Sequence, residues 1–262
     1  MGKFNLVIPA AGAATRLKPL SSNMSKIMVR VNGKPCLDYI IEAVNGSVEE
    51  IVIVDGKFED IREYCKIKHP RVKFVNQPKL NGPRDAINIG IKELKHLDKP
   101  LVVWLGDAII LEKDLPLGED FLLTKEVEDQ SSWCMWDGMQ YYNKPKWYID
   151  DAVALVGLYS FAYGPGAAKA FDETNEYDIS HALENYAEEW GSFQKIITNE
   201  WYDIGDLPTY YKTCAELLNL KSRAFNNLQF NAELGTIRKT PDYHNEHSIS
   251  TLKNEKLWNE KL

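Results

Sequence analysis

Along the first hundred residues, short apolar runs alternate with stretches of helical spacing. Asn5–Ile8, Ile51–Val54, Val72–Val75 and Leu101–Leu105 are predominantly apolar runs of strand length. Between them, Leu37–Val44, Phe58–Lys66 and Arg84–Leu94 repeat apolar residues at helical intervals. Strands that are apolar throughout, rather than alternating, are buried on both faces, as in a parallel sheet. The pattern predicts an α/β fold: a Rossmann-like, mostly parallel sheet flanked by helices and joined by right-handed crossovers.

The second half is less regular. Trp133–Tyr148 is rich in Trp and Tyr, Ala152–Phe161 reads as a strand, and Tyr177–Glu189 and Tyr210–Leu220 read as helices. From Lys221 onward the chain turns polar and Asn-rich. The expected organisation is a domain over residues 1–222 and a polar tail over 223–262.

Composition narrows the function. The chain has 262 residues, 44% hydrophobic and 26% charged, enough for one large domain with an appendage. A formal net charge of -7 argues against a duplex nucleic-acid binder, which presents a basic face. No apolar run has the length of a membrane span, and Phe4–Pro9 is too short for a signal peptide. Cys36, Cys65, Cys134 and Cys214 are scattered without CxxC spacing and read as reduced thiols of a cytoplasmic protein. His244 and His247, three apart in the tail without acidic or Cys partners, read as surface histidines. The expectation is no nucleic-acid partner and no membrane, with a homo-oligomer left open.

The first strand ends in Pro9-Ala10-Ala11-Gly12-Ala13-Ala14, a run with almost no side chain. Such a loop lets backbone N–H groups approach phosphate oxygens closely. Arg16 adds a planar fork for phosphate and Lys26 a point charge. An ordinary strand-to-helix turn with two surface cations is the plainer alternative. A dinucleotide loop needs three spaced glycines, and only Gly12 is present. Asp107 follows an apolar strand through Gly106, on the side where parallel sheets bind ligands.

These residues resemble the signature of the sugar-phosphate nucleotidyltransferases. Thr15-Arg16-Leu17-Lys18-Pro19-Leu20, then Lys26, then Lys34-Pro35 follow that family's order. Ala11 and Ala14 stand where many members have glycine, and Ser25 where proline usually precedes the lysine. The resemblance implies a nucleotide-diphospho-sugar transferase type of fold. It also implies nucleotide binding by Ala10, Ala11, Gly12 and Ala13, with Arg16 and Lys26 as catalytic cations. Gln77-Pro78 with Gly82 resembles the base-recognition stretch of thymidylyl- and uridylyltransferases, and a Gln amide can read a pyrimidine edge. Pro83 and Asp85 are unlike the small residues usual there. Trp201-Tyr202-Asp203-Ile204-Gly205 is similar to the second metal-binding segment, so the resemblance implies Mg²⁺ held by Asp107 and Asp203. Lys144-Pro145 before Gly157-Leu158-Tyr159 implies that Lys144 and Gly157 meet the acceptor. Glu176-Tyr177-Asp178 resembles a sugar-contacting segment, which adds Glu176 and Asp178.

The implied reaction is one in-line displacement. An acceptor phosphate oxygen attacks the α-phosphorus of a nucleoside triphosphate, and pyrophosphate leaves. The acceptor would be a sugar phosphate or polyol phosphate. A pyrimidine triphosphate is expected, CTP ahead of UTP and dTTP. Gly235–Lys239, then Glu246–Leu262 with helical character, resembles the opening of a kinase lobe fused to such transferases in capsule loci. The tail is then either the start of a truncated kinase-like domain, in a fragment of a longer protein, or a plain polar tail. Two other classes stay open: a non-catalytic sugar-nucleotide sensor, and a nucleotide-dependent oxidoreductase on a doubly wound sheet.

Overall fold

The computed structural model describes residues 3–44, 46–174, 177–226, 229–231 and 236–238, with side chains through Leu220. It divides into two compact units, Met1–Thr213 and Cys214–Leu262. In chain order the first elements are β1 (Phe4–Pro9), the short strands β2 (Arg30–Val31) and β3 (Lys34–Pro35), α1 (Cys36–Ala43) and β4 (Val48–Asp55). Then come α2 (Asp60–Lys68), β5 (Val72–Asn76), α3 (Pro83–Lys92), β6 (Leu101–Trp104) and β7 (Ala108–Ile110). β8 (Phe121–Lys125), β9 (Cys134–Trp136), β10 (Tyr141–Asn143) and β11 (Val153–Phe161) precede α4 (Gly164–Glu173) and α5 (Ser180–Trp190). β12 (Gln194–Ile197), β13 (Trp201–Asp203) and α6 (Leu207–Asn226) follow. The second unit carries an antiparallel hairpin of β14 (Gln229–Asn231) and β15 (Thr236–Arg238).

Among the described residues, each strand and helix that the hydrophobic pattern predicts is present, with ends shifted by a few residues. The main sheet has nine strands in the order β10-β9-β11-β6-β1-β4-β5, with β8 paired to β11 and β12 paired to β8. β6, β1, β4 and β5 run parallel. Around β11 the sheet is antiparallel, so it is mixed rather than uniform. Val7, Val52, Val54 and Val103 join Ile87, Ile91, Phe171, Leu183 and Tyr186 in one core cluster beneath α3, α4 and α5. Leu6, Ile8 and Ile53, equally buried, face the other side by strand alternation. Gly90 of α3 allows the close approach: a Cβ there would lie 2.6 Å from Val7 Cγ1.

The strand order matters for function. From β1 the chain moves outward to β4 and β5, then crosses back to β6 on the other side of β1. With right-handed crossovers, successive helices leave β1 and β6 on opposite faces, which opens a crevice beyond their carboxyl ends. Among the described residues, no helix is long and apolar enough to cross a membrane.

Candidate active site

A cavity of about 670 Å³ lies in that crevice, within the first unit. Its floor is the loop after β1. Ala10 N–H donates to Val54 O at 2.8 Å, which ties the loop to β4. Ala14 sits in the left-handed region (φ 49°, ψ 36°), the conformation that explains why a glycine suits this position. Its carbonyl accepts from Leu17 N at 3.1 Å and from Ser21 Oγ at 2.7 Å, and Leu17 is fully buried. That anchor turns Thr15–Leu17 into a short 3-10 turn and leaves Arg16 exposed at the cavity wall. Among the described residues Arg16 has no hydrogen-bond or ion-pair partner. Gly56, just past β4, is a site residue that the sequence reading passed over. A Cβ there would stand 2.7 Å from Ala11 O, so only glycine lets the loop lie so close to β4. The signal was available: Asp55-Gly56 closes one buried strand as Gly106-Asp107 closes another.

Lys26 opens a second 3-10 turn, Lys26–Met28. The backbone N–H of the preceding residue, Ser25, donates to the Asp60 carboxylate at 3.0 Å, so α2 steadies the Lys26 segment. Lys26 Nζ reaches Asp107 Oδ2 at 2.7 Å. Asp107 follows β6, and the antiparallel pair β7–β13 sets Asp203 opposite Ala108. Ile204 N–H donates to Asp107 O at 3.2 Å, so the two carboxylates occupy adjacent strand ends. Burial alone would raise the Asp107 carboxyl, but the Lys26 charge and hydrogen bond outweigh it and hold it below its ordinary value. Asp203 behaves oppositely. Burial, and then the Asp107 charge, push its carboxyl up to about 6. Gly205 belongs to this arrangement, because a Cβ there would lie 2.6 Å from Asp203 Oδ2.

The wall opposite the loop comes from the antiparallel half. Lys144, exposed and with φ of 50°, lines the cavity, and its N–H donates to Trp133 O at 2.9 Å. Trp133 packs edge-to-face on Trp201, ring centroids 4.9 Å apart, and both line the cavity. Gly157 has φ of 92° where the pairing of β11 with β8 shifts register, and a Cβ there would meet Leu105 at 3.1 Å. Asp178 lines the cavity too. Its carboxylate accepts from Asn143 Nδ2 at 2.8 Å and from Ser180 N at 3.0 Å, which joins β10 to the start of α5. Glu176 lies outside the described residues. Gln77 is buried at the cavity edge, beside Gly82. Asp206 is a carboxylate that the motifs did not single out. It also lines the cavity, and the Thr209 backbone N–H holds its carboxyl below the usual range while it caps α6.

The sequence-derived residues Ala10, Ala11, Gly12, Ala13, Arg16, Lys26, Gln77, Gly82, Asp107, Lys144, Gly157, Asp178 and Asp203 thus all line one cavity. Of the segment that resembles the opening of a kinase lobe, Thr236–Arg238 is described, as β15; Gly235, Lys239 and residues 246–262 lie outside the described residues.

Residues 6–117 match the family of MobA-like NTP transferase domains. The chain is 39% identical over 123 residues to the bifunctional protein GlmU of Methanocaldococcus jannaschii, which covers 47% of this chain and 28% of that protein. It is 33% identical over 134 residues to UTP–glucose-1-phosphate uridylyltransferase 2 of Staphylococcus saprophyticus, covering 42% and 46%. The match spans only about a quarter of the length of the GlmU proteins. In fold, the chain resembles a UDP-glucose pyrophosphorylase solved with UDP-glucose, with a TM-score of 0.69, 22% identity, and coverage of 84% of this chain and 100% of the other. It also resembles the CTP:phosphocholine cytidylyltransferase LicC of Streptococcus pneumoniae, with a TM-score of 0.67, 22% identity, and coverage of 82% and 99%.

Proposed function

We propose that the chain is a sugar-phosphate nucleotidyltransferase, a reading supported by the match of residues 6–117 to MobA-like NTP transferase domains, and that it joins a pyrimidine nucleoside triphosphate to a sugar phosphate or polyol phosphate and releases pyrophosphate. CTP is favoured over UTP and dTTP, on the kinase-like resemblance of the tail. The product would be an activated precursor for capsule or another surface polysaccharide.

One observation carries the reading: Arg16 and Lys26 converge with Asp107 and Asp203 on a single cavity at the switch point of the sheet. The task of such a site is to bring two anions together and stabilise charge spreading over the transferring phosphoryl group. A phosphate nucleophile is already ionised at neutral pH, so no buried Ser or Cys is required. Arg16, with no hydrogen-bond or ion-pair partner among the described residues, is available to the triphosphate. Lys26 neutralises charge beside the carboxylates, and Lys144 lines the same cavity, where it would meet the acceptor phosphate.

The donor set suits Mg²⁺. Asp107 and Asp203 are two adjacent carboxylates, and the raised Asp203 carboxyl marks a buried negative charge without sufficient compensation. Among the described residues no cluster of three or more His, Cys, Asp or Glu exists, so phosphate oxygens and water would complete the shell. The ion would supply charge stabilisation at the transferring phosphate.

A second acceptor is favoured by the Trp133–Trp201 pair. Aromatic faces in a cavity wall attract a quaternary ammonium, the head group of the pneumococcal enzyme's phosphocholine. A pyrophosphate-release screen decides among these readings. CTP, UTP, dTTP, ATP and GTP are each paired with sugar phosphates, polyol phosphates and phosphocholine. Nucleotide binding without pyrophosphate release from any pair would leave a sensor, not an enzyme.

A further inference from the structure

Gln77 is held by more than its own backbone. Its side-chain Nε2 donates to Gly82 O at 3.2 Å and to Asp85 Oδ2 at 2.8 Å. An amide nitrogen has two hydrogens, and these two partners use both. The assignment of nitrogen and oxygen is not interchangeable here, because a carbonyl and a carboxylate both only accept. Flipping the amide would set Oε1 against two acceptors. Among the described residues no hydrogen bond to Oε1 is found, and Gln77 lines the cavity.

Asp85 lies in the first turn of α3, directly after Gly82 and Pro83. Gly82 has φ of 96°, a conformation that turns its carbonyl back to Gln77 while the chain enters the helix. The Gln77 backbone N–H is itself fixed by Asp55 O at 2.9 Å, and the Asp55 carboxylate is paired with Arg62. The side chain is therefore clamped at both ends.

We propose that Asp85 is a positioning residue that locks Gln77 as a lone hydrogen-bond acceptor, so that the site reads its base through a donor on the base edge. Uracil and thymine offer N3–H and cytosine offers its exocyclic amino group. A base that places an acceptor at that point meets Oε1 and is rejected, because two facing acceptors leave both unpaired. A free Gln would rotate its amide and accept either edge. This inference rests on the pyrimidine reading of the site, and it predicts sharper selectivity than Gln77 alone would give.

Asp85→Ala and Asp85→Asn, each in the full chain, test it by kcat/KM for CTP, UTP and dTTP with pyrophosphate release as readout. Asn keeps an oxygen that accepts from Gln77 Nε2, whereas Ala does not. Asp85→Ala should lower kcat/KM for the preferred triphosphate by about ten-fold, the scale of one hydrogen bond, and narrow its margin over the others. Asp85→Asn should keep most of that margin. In a Gln77→Ala background, Asp85→Ala should change the margin no further. A merely structural role at the start of α3 would depress all triphosphates alike, and would do so in the Gln77→Ala background too. A pyrimidine-selective wild type whose margin survives Asp85→Ala would overturn the role of Asp85 while leaving the proposed reaction intact. A wild type that prefers a purine triphosphate would overturn both.

Discussion

Asp203 shows how a single residue carries opposed demands. Its carboxyl titrates near 6 in the folded chain against a usual value of 3.8, through burial and then the Asp107 charge. Between about pH 4 and 6 the native state holds a proton that the unfolded state has lost. Stability therefore falls as pH rises through that window and stays lower above it. Asp203→Asn removes this penalty. In EDTA at pH 7 the variant is expected to melt about 2–5 °C higher than wild type, with the gap closing towards pH 4. Its Mg²⁺-dependent turnover should nonetheless fall by about 10²–10³-fold. Thermal scans across pH and a pyrophosphate assay check both halves; near wild-type turnover would remove Asp203 from the site. Arg16 carries no such conflict, being exposed and without a hydrogen-bond or ion-pair partner among the described residues. Arg16→Ala should cost about 10²-fold in kcat/KM and leave the melting temperature unchanged within a degree. A matching loss of stability would mean that Arg16 serves the fold instead.

At the scale of elements, the site depends on how closely loops approach strands. The loop after β1 lies against the end of β4 at Gly56, where a methyl group would stand 2.7 Å from a backbone oxygen that cannot rotate away. Gly56→Ala should displace the loop and raise KM for the triphosphate by about ten-fold or more, with a smaller effect on the acceptor KM. Equal increases in both would point to a general loss of packing. The Lys26 segment depends on α2 in the same way, through the bond from Ser25 N–H to Asp60. The loop's run of small residues was readable directly in the sequence. The matching glycine at position 56 was harder to read, because its reason lies 45 residues away in the chain and only the pairing of β1 with β4 brings the two together.

For the molecule as a whole, every described residue assigned to phosphate, base or metal lies in the unit Met1–Thr213. Truncation after Ser222 is therefore expected to preserve the transfer reaction, and steady-state kinetics of the shortened chain measure it. Loss of activity in a truncation that still folds would give the remaining residues a part in the site. The sequence by itself determined the alternation of strands and helices, because burial on both faces forces continuous apolar runs and one-sided helices force a helical period. It also pointed to the loop Ala10–Ala14, Arg16, Lys26, and the carboxylates Asp107 and Asp203, which the fold gathers at one cavity. α4 escaped the pattern because it starts Gly-Pro-Gly, and β8 and β12 because their neighbours are supplied by distant segments. Only the tertiary structure decided that Lys26 would pair with Asp107, that Asp203 would be left with a raised carboxyl, and that Asp85 would hold the Gln77 amide. The reason is physical: local pattern reports which side chains must be buried, while a titration or a hydrogen-bond direction depends on which groups the folded chain sets a few ångströms apart.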